Sequence, residues 1–106
     1  MIKLVLSDVD GTLIPLGRGK VSQRTMEAIV AVQEAGVHFG LATGRDVVEL
    51  KAQFCGDTRA FETGILSNGK KVFVDGRLTR LTLLDNEALK RALEVVREYP
   101  HTFMTA

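Results

Sequence analysis

The chain begins with the stretch MIKLVLSDVDGTLI, residues 1–14. Its mainly apolar run Ile2–Leu6 predicts a buried strand, and the carboxylates of Asp8 and Asp10 follow where that strand ends. Alternate residues of an extended chain face the same side, so both carboxylates can converge on one point. Two close carboxylates repel unless a cation or a shared proton lies between them, and oxygen ligands suit a hard cation such as Mg²⁺. The stretch therefore predicts a metal-assisted site in which one carboxylate also acts as nucleophile. The alternative is an ordinary Asp-Gly turn after a strand.

Composition excludes several classes of protein. The 106 residues suffice for one small domain, and 45% hydrophobic with 25% charged residues is ordinary for a globular protein. The net charge is +1 and the cations are scattered, so neither a nucleic acid nor a membrane is a predicted partner. Cys55 is the single cysteine, which excludes an internal disulfide. Because no signal peptide is visible either, we expect a reducing, cytoplasmic location.

The order of predicted elements is β-α-β-α-β, followed by a hairpin, a helix and the start of a further strand. The first four occupy, in order, residues 2–6, 23–35, 37–42 and 46–54, and the third strand lies within residues 60–67. The later ones are a hairpin of 71–74 with 77–83 around Asp75-Gly76, then 86–98 and 101–106. The predicted caps of the three helices are Ser22, Asp46 and Asp85. Alternating strands and helices predict an α/β fold with a Rossmann-like parallel sheet, flanking helices and a site at the carboxyl ends of the strands. The change of pattern near Gly69 predicts a boundary between residues 1–69 and residues 70–106.

A second motif, Thr43-Gly44-Arg45, closes the second predicted strand. A hydroxyl, a flexible backbone N–H and a helix N-terminus come together there, which favours binding of phosphate. Arg45 either contacts the substrate or pairs with a nearby carboxylate. Asn68 either faces the site from the end of the third strand or only forms the Asn-Gly turn.

Three segments, MIKLVLSDVDGTLI, GLATGR and GILSNG, together resemble the haloacid dehalogenase-like hydrolases, and among them the Cof-type branch of sugar-phosphate and related phosphatases. The resemblance covers nearly the whole chain. It implies hydrolysis of a small phosphorylated substrate through an aspartyl-phosphate, with Asp8 as nucleophile and Asp10 as general acid and base. It also implies Mg²⁺ held by Asp8 and by the backbone carbonyl of Asp10. Thr43 and the backbone of Gly44 would hold the phosphoryl oxygens.

Members of this family also need a lysine beside the phosphate and a late acidic pair, which normally lie beyond residue 106. The resemblance thus implies a truncated core over residues 1–69 and the beginning of an α+β cap over residues 70–106. We therefore expect weak Mg²⁺ binding and little turnover from the 106-residue chain. Unpaired sheet edges predict a homo-oligomer. Two alternatives stay open, a phosphomutase of the same superfamily and a non-catalytic phosphate-binding or interaction fragment.

Overall fold

The computed structural model of the protein describes residues 1–105. The elements are, in chain order, β1 (Leu4–Ser7), α1 (Gln23–Glu34), β2 (His38–Ala42), α2 (Val47–Gln53), β3 (Gly64–Leu66), β4 (Lys71–Val74), β5 (Arg77–Leu81) and α3 (Asn86–Arg97). The five strands form one sheet in the order β1-β2-β3-β4-β5. The predicted α/β class is therefore confirmed.

The first three strands are parallel. In such a sheet each crossover carries a helix, and the carboxyl ends of the strands meet at one edge. That edge holds the chain that follows β1 and β2, which carries both predicted motifs. The fold therefore brings the Asp8–Asp10 segment and Thr43 to the ends of neighbouring strands.

Helix α1 begins where its sequence predicts. The Ser22 side chain accepts a hydrogen bond from the Thr25 N–H at 3.1 Å, which satisfies one of the free donors of the first turn. The helix buries Ile29 against the sheet and ends before Gly36, whose φ of +84° suits a glycine.

One hydrophobic core lies between the sheet and the helices. Both α1 and α2 contribute to it, so the two helices cover the same face of the sheet. Phe54 and Phe61 pack edge to face with ring centroids 5.8 Å apart. The buried apolar residues are Val9, Ile14, Ile29, Phe39, Leu41, Leu50, Phe54, Ala60, Phe61 and Leu66.

The opposite face of the sheet is uncovered. Leu4, Leu6 and Ile65 point away from the core by strand alternation and are 48%, 41% and 38% exposed. On β2 the same face carries Gly40, where a Cβ atom would lie only 2.3 Å from the Thr63 carbonyl oxygen. No side chain other than glycine's hydrogen fits there without a shift of the backbone.

The hairpin β4–β5 continues the same sheet in antiparallel fashion. Its turn has Asp75 and Gly76 at φ values of +49° and +79°, as an Asp-Gly hairpin turn requires. Strand β5 ends at Leu81, two residues before the predicted end, and Thr82–Asp85 is irregular. The sheet crosses the predicted boundary at residue 69, and the division into two domains stays a prediction.

Helix α3 begins at its predicted cap, Asp85, and has no buried residue. Because this helix projects from the sheet, the radius of gyration is 16.8 Å, against about 13 Å for a globular chain of this length. The strand predicted over residues 101–106 does not form within residues 101–105, and Ala106 lies outside the described residues. Across residues 1–105, no helix has the length and apolar character that crossing a membrane requires. Cys55 is exposed and unpaired within this range.

Candidate functional site

The turn after β1 separates two exposed carboxylates by one buried side chain. Val9 is fully buried, whereas Asp8 and Asp10 are exposed, as the alternation predicts. The Val9 carbonyl accepts hydrogen bonds from the N–H groups of Thr12 and Ile14, at 3.1 and 3.0 Å. The Thr12 hydroxyl reaches Asp8 Oδ2 only at 3.5 Å, a long contact. Asp8 therefore presents a carboxylate that is open to solvent at the end of β1.

Asp10 is held by Arg45 in a two-point ion pair. Arg45 Nε donates to Asp10 Oδ2 at 2.9 Å and the guanidinium Nη2 donates to Oδ1 at 3.1 Å. Gln53 Nε2 also donates to Oδ1, at 3.0 Å. These contacts, the Arg45 hydrogen bonds first, hold the pKa of Asp10 below its usual value. Of the two alternatives for Arg45, the structure shows the pairing with a carboxylate.

Arg45 also joins Asp10 to helix α2. Its Nη1 donates to Glu49 Oε1 at 3.1 Å, and Glu49 Oε2 accepts from the Asp46 N–H at 2.9 Å. Hydrogen bonds to Asp10 and Glu49 raise the pKa of Arg45 further above its already high value. Hydrogen bonds from the Asp46 N–H and then from Arg45 lower the pKa of Glu49. The guanidinium is thus fixed from two sides.

The Thr43–Gly44 segment follows β2, beside the end of β1. Thr43 is buried, its N–H donates to the Ile65 carbonyl at 2.9 Å, and its hydroxyl accepts from the Arg45 N–H at 3.1 Å. The Gly44 N–H makes no hydrogen bond within residues 1–105. The Thr43 hydroxyl hydrogen and the Gly44 N–H are therefore donors available to an anion.

The N-terminus of α2 leaves fewer free N–H donors for an anion than its sequence predicts. Asp46 Oδ1 accepts from the Val47 N–H at 2.6 Å, and Glu49 closes a capping box on the Asp46 N–H. Two carboxylates of the chain itself therefore occupy the helix N-terminus. Any phosphate bound here relies on Thr43 and Gly44.

Asn68 forms the turn that follows β3, and a role for it at the site stays a prediction. Ser67, Asn68 and Gly69 have φ values of +51°, +55° and +90°. The Asn68 side chain also packs on Gly44, because a Cβ atom there would lie 2.9 Å from Asn68 Oδ1. A larger residue at position 44 would require the Asn68 side chain to move.

Lys71 forms an ion pair that the sequence does not reveal. Its Nζ donates to Asp46 Oδ2 at 2.6 Å. This hydrogen bond, followed by the one from the Val47 N–H, lowers the pKa of Asp46. The charge of Lys71 is therefore paired with that of Asp46, the capping residue of α2, and not with that of Asp8.

Two cavities flank these residues. One, of about 560 Å³, extends from Gly44 and Asn68 towards the start of α3. The other, of about 400 Å³, lies between Asp10, Arg45, Gln53 and the loop of residues 14–19. Arg18 and Lys20 are exposed and line neither cavity.

The oxygen atoms near Asp8 are of the kind that a hard cation binds, but they are too few to complete its coordination. The Asp8 carboxylate and the Asp10 backbone carbonyl are oxygen ligands of the kind Mg²⁺ prefers. The Asp10 carboxylate is already engaged by Arg45 and Gln53. Throughout residues 1–105, no three His, Cys, Asp or Glu side chains lie close enough together to hold a metal ion. The available donors therefore amount to a partial Mg²⁺ site.

Three residues that contact Asp10, Arg45 or Asp46 were not predicted from the sequence: Glu49, Gln53 and Lys71. Glu49 had a readable signal, since Asp-x-x-Glu before a helix is a capping box. Gln53 and Lys71 carry no such signal. Their contacts depend on how α2 packs and on the register of β4.

The chain is similar to known proteins, both in sequence and in structure, and these similarities show its family. A family model described as haloacid dehalogenase-like hydrolase matches residues 5–106. No curated protein sequence matches the chain. Among solved structures, a phosphatase of the HAD superfamily from Bacteroides thetaiotaomicron is similar. It is 31% identical, with a TM-score of 0.75 over 92% of this chain and 36% of that one.

Two further structures show the same likeness. A haloacid dehalogenase-like hydrolase from B. subtilis is 25% identical, with a TM-score of 0.74 over 92% of this chain and 34% of that one. A HAD subclass IIB sugar phosphatase is 24% identical, with a TM-score of 0.70 over 91% of this chain and 37% of its own, and supports the fold alone. The chain thus spans about a third of the length of these structures. Since the family model extends over nearly all its residues, the chain belongs to the haloacid dehalogenase-like hydrolases.

Proposed function

We propose that the chain carries the nucleophile and phosphate-binding residues of a Mg²⁺-dependent phosphatase that acts on small phosphomonoesters. One observation carries the proposal: the exposed Asp8 carboxylate follows β1, and the donors of Thr43 and Gly44 follow β2, the parallel strand that pairs with β1. A nucleophile and phosphoryl-oxygen donors on neighbouring strand ends are what transfer of a phosphoryl group to a carboxylate requires. Membership of the family supports the same chemistry.

The proposed reaction has two steps. In the first, an Asp8 carboxylate oxygen attacks phosphorus, the bond from phosphorus to the ester oxygen breaks, and the leaving alkoxide takes a proton from Asp10. In the second, water attacks the phosphorus of the aspartyl-phosphate and gives its proton to Asp10. The second step frees Asp8 and inorganic phosphate.

The proton transfers set a requirement on Asp10. The ion pair with Arg45 lowers its pKa and so favours the ionised carboxylate. An acid must carry its proton when the leaving group departs. We therefore expect Asp10 to leave Arg45 as the substrate binds, and the observed pair is a resting arrangement.

Mg²⁺ would be held by the Asp8 carboxylate and the Asp10 backbone carbonyl. When bound, it neutralises charge on the transferring phosphoryl group. The sequence resemblance implies a sugar phosphate or a similar small monoester as substrate. The lone cysteine supports a reducing, cytoplasmic location.

Beryllofluoride, which mimics a phosphoryl group on a carboxylate, tests the proposal. We expect fluorine NMR to show a bound, Mg²⁺-dependent beryllofluoride signal that Asp8→Asn abolishes. Asp75→Asn is the matched control, because Asp75 lies in the β4–β5 turn at a φ that asparagine tolerates. A signal that survives in Asp8→Asn, or no signal at saturating Mg²⁺, would refute the assignment of Asp8.

A non-catalytic phosphate-binding module is the second candidate. The partial metal site and the ion-paired Asp10 favour it. Phosphate release from p-nitrophenyl phosphate separates the two: slow release that depends on Asp8 supports the phosphatase. Phosphate binding with no release supports the module. Transfer of the phosphoryl group to an added sugar hydroxyl instead of water would indicate a phosphomutase.

A further inference from the structure

The cleft that begins at Gly44 has two chemically different sides. One side, here called the floor, is formed by the turn after β3 and the start of β4, and the other, here called the wall, is formed by the end of β5, the segment after it and the first turn of α3. A backbone hydrogen bond from the Thr82 N–H to the Lys70 carbonyl, 2.8 Å long, joins floor to wall. Gly44 lines this cleft of about 560 Å³, so the ester group of a phosphomonoester bound through the Gly44 N–H has room to enter it.

The floor supplies polar groups. Asn68 packs on Gly44, and Lys70 is exposed two residues further along the chain. Lys71 also lines the cleft, but its charge is paired with Asp46 at 2.6 Å. The cationic group open to a ligand on this side is therefore Lys70, which lies near the phosphate-binding end.

The wall is apolar. Leu81, Leu83 and Leu84 line it while being 49%, 78% and 51% exposed, and Leu89 of α3 completes it. Thr82 and Asn86 are its polar residues. Three exposed leucines and the half-buried Leu89 together offer apolar surface that an apolar ligand would remove from water. Sugar hydroxyls laid against the leucines lose hydrogen bonds to water, and only Thr82 and Asn86 offer a replacement on this side.

We propose that the substrate is a phosphomonoester whose organic group is apolar or aromatic, and not a sugar phosphate. Its ring or chain lies along Leu81, Leu83 and Leu84, with its phosphoryl group at Thr43 and Gly44. The inference rests on the proposed function, because it places the phosphoryl group at that segment. It departs from the sugar phosphate that the sequence resemblance implies.

Binding of three probes tests the inference without any turnover. Titrations of the 106-residue chain, followed by amide NMR shifts, would compare inorganic phosphate, phenylphosphonate and glucose 6-phosphate. We expect phenylphosphonate to bind about tenfold more tightly than the other two, which corresponds to about 1.4 kcal/mol. The double variant Leu83→Ser/Leu84→Ser should lose most of that advantage while it binds inorganic phosphate unchanged. Both leucines are at least half exposed, so the double variant folds.

Val95→Ser is the matched control, since Val95 is 56% exposed on α3 and does not line the cleft. It should leave all three affinities unchanged. If phosphate binds but glucose 6-phosphate binds as tightly as phenylphosphonate, or the double variant keeps the tenfold advantage, the inference is overturned while the phosphate site stands. If none of the probes shifts the amides of residues 43–45, the proposed function fails and the inference fails with it.

Discussion

Asp46 holds two interactions that a single substitution removes together. Its carboxylate caps α2 through the Val47 N–H and pairs with Lys71 at 2.6 Å. Loss of an N-cap costs about 1 kcal/mol of stability. The two ion-paired side chains are 40% and 32% exposed, which limits that pair to about 0.5–1 kcal/mol. We therefore expect Asp46→Ala to lower the free energy of unfolding by about 1.5–2 kcal/mol, measured by urea denaturation.

Three further variants separate the two contributions. Asp46→Asn keeps a capping oxygen and loses the charge, so it should cost only about 0.5–1 kcal/mol, and Lys71→Met should cost a similar amount. Asp85→Ala is the matched control. Asp85 caps α3 through the Glu87 N–H at 3.0 Å, but α3 buries no residue. Its loss should fray α3 and leave the unfolding of the sheet nearly unchanged.

The pH dependence provides a second check on Asp46. Lys71 and the Val47 N–H lower its pKa in the folded protein. A lowered pKa means that this stabilisation is present above the unfolded-state pKa of about 3.9 and is lost as the pH falls through the folded-state value. Asp46→Ala should therefore lose less stability than the parent chain on acidification. If Asp46→Ala costs no more than Asp85→Ala, or keeps the parent's acid sensitivity, the reasoning is refuted.

Three other predictions concern the site, the core and the sheet face. Arg45→Met should raise the pKa of Asp10 towards its ordinary value, so that Asp10 takes up a proton at higher pH, and carboxyl carbon NMR would detect this. An unchanged titration would show that Arg45 does not control this group. Leu50→Ala should cost about 2–5 kcal/mol because Leu50 is fully buried, whereas Leu93→Ala should cost little, since Leu93 is 38% exposed. Equal losses in urea denaturation would contradict the assigned core. The uncovered sheet face predicts self-association, which Ile65→Lys should weaken, and a parent chain that sediments as a monomer at high concentration would exclude it.

Sequence reasoning succeeded where local chemistry decides the conformation. Ser22, Asp46 and Asp85 all cap the helices that they were predicted to start. The Asp75-Gly76 pair forms the expected hairpin turn because both residues tolerate positive φ. These features depend on a few neighbouring residues, so a single sequence is enough to predict them.

The sequence placed the third strand within residues 60–67 but not its bounds, because burial alone does not make a strand. In the structure β3 covers Gly64–Leu66. Phe61 is buried from an irregular turn, in which its N–H donates to the Thr58 carbonyl at 3.0 Å. An apolar residue that enters the core from a turn has the same sequence signal as one in a buried strand.

The contacts of the site could be predicted only in part. Asp10 and Arg45 were both named from motifs, and pairing was one of two alternatives for the arginine. The Gln53 contact requires α2 to be oriented by Leu50 and Phe54 in the core, which no local pattern encodes. The Lys71 pair requires the register of β4 on β3, in which Lys71 lies opposite Leu66.

Pairing of β4 with β3 limits how freely this chain can exchange parts with related proteins. Three residue pairs of the β3–β4 ladder join the first 69 residues to the rest: Gly64 with Phe73, Ile65 with Val72 and Leu66 with Lys71. A recombinant that replaced residues 70–106 would have to preserve this register, because a slip of one residue turns every side chain of β4 to the other face. Variation after Leu81 meets no such constraint, since the ladder ends there. Substitution at Leu83 and Leu84 therefore disturbs the sheet less than exchange of the whole second part.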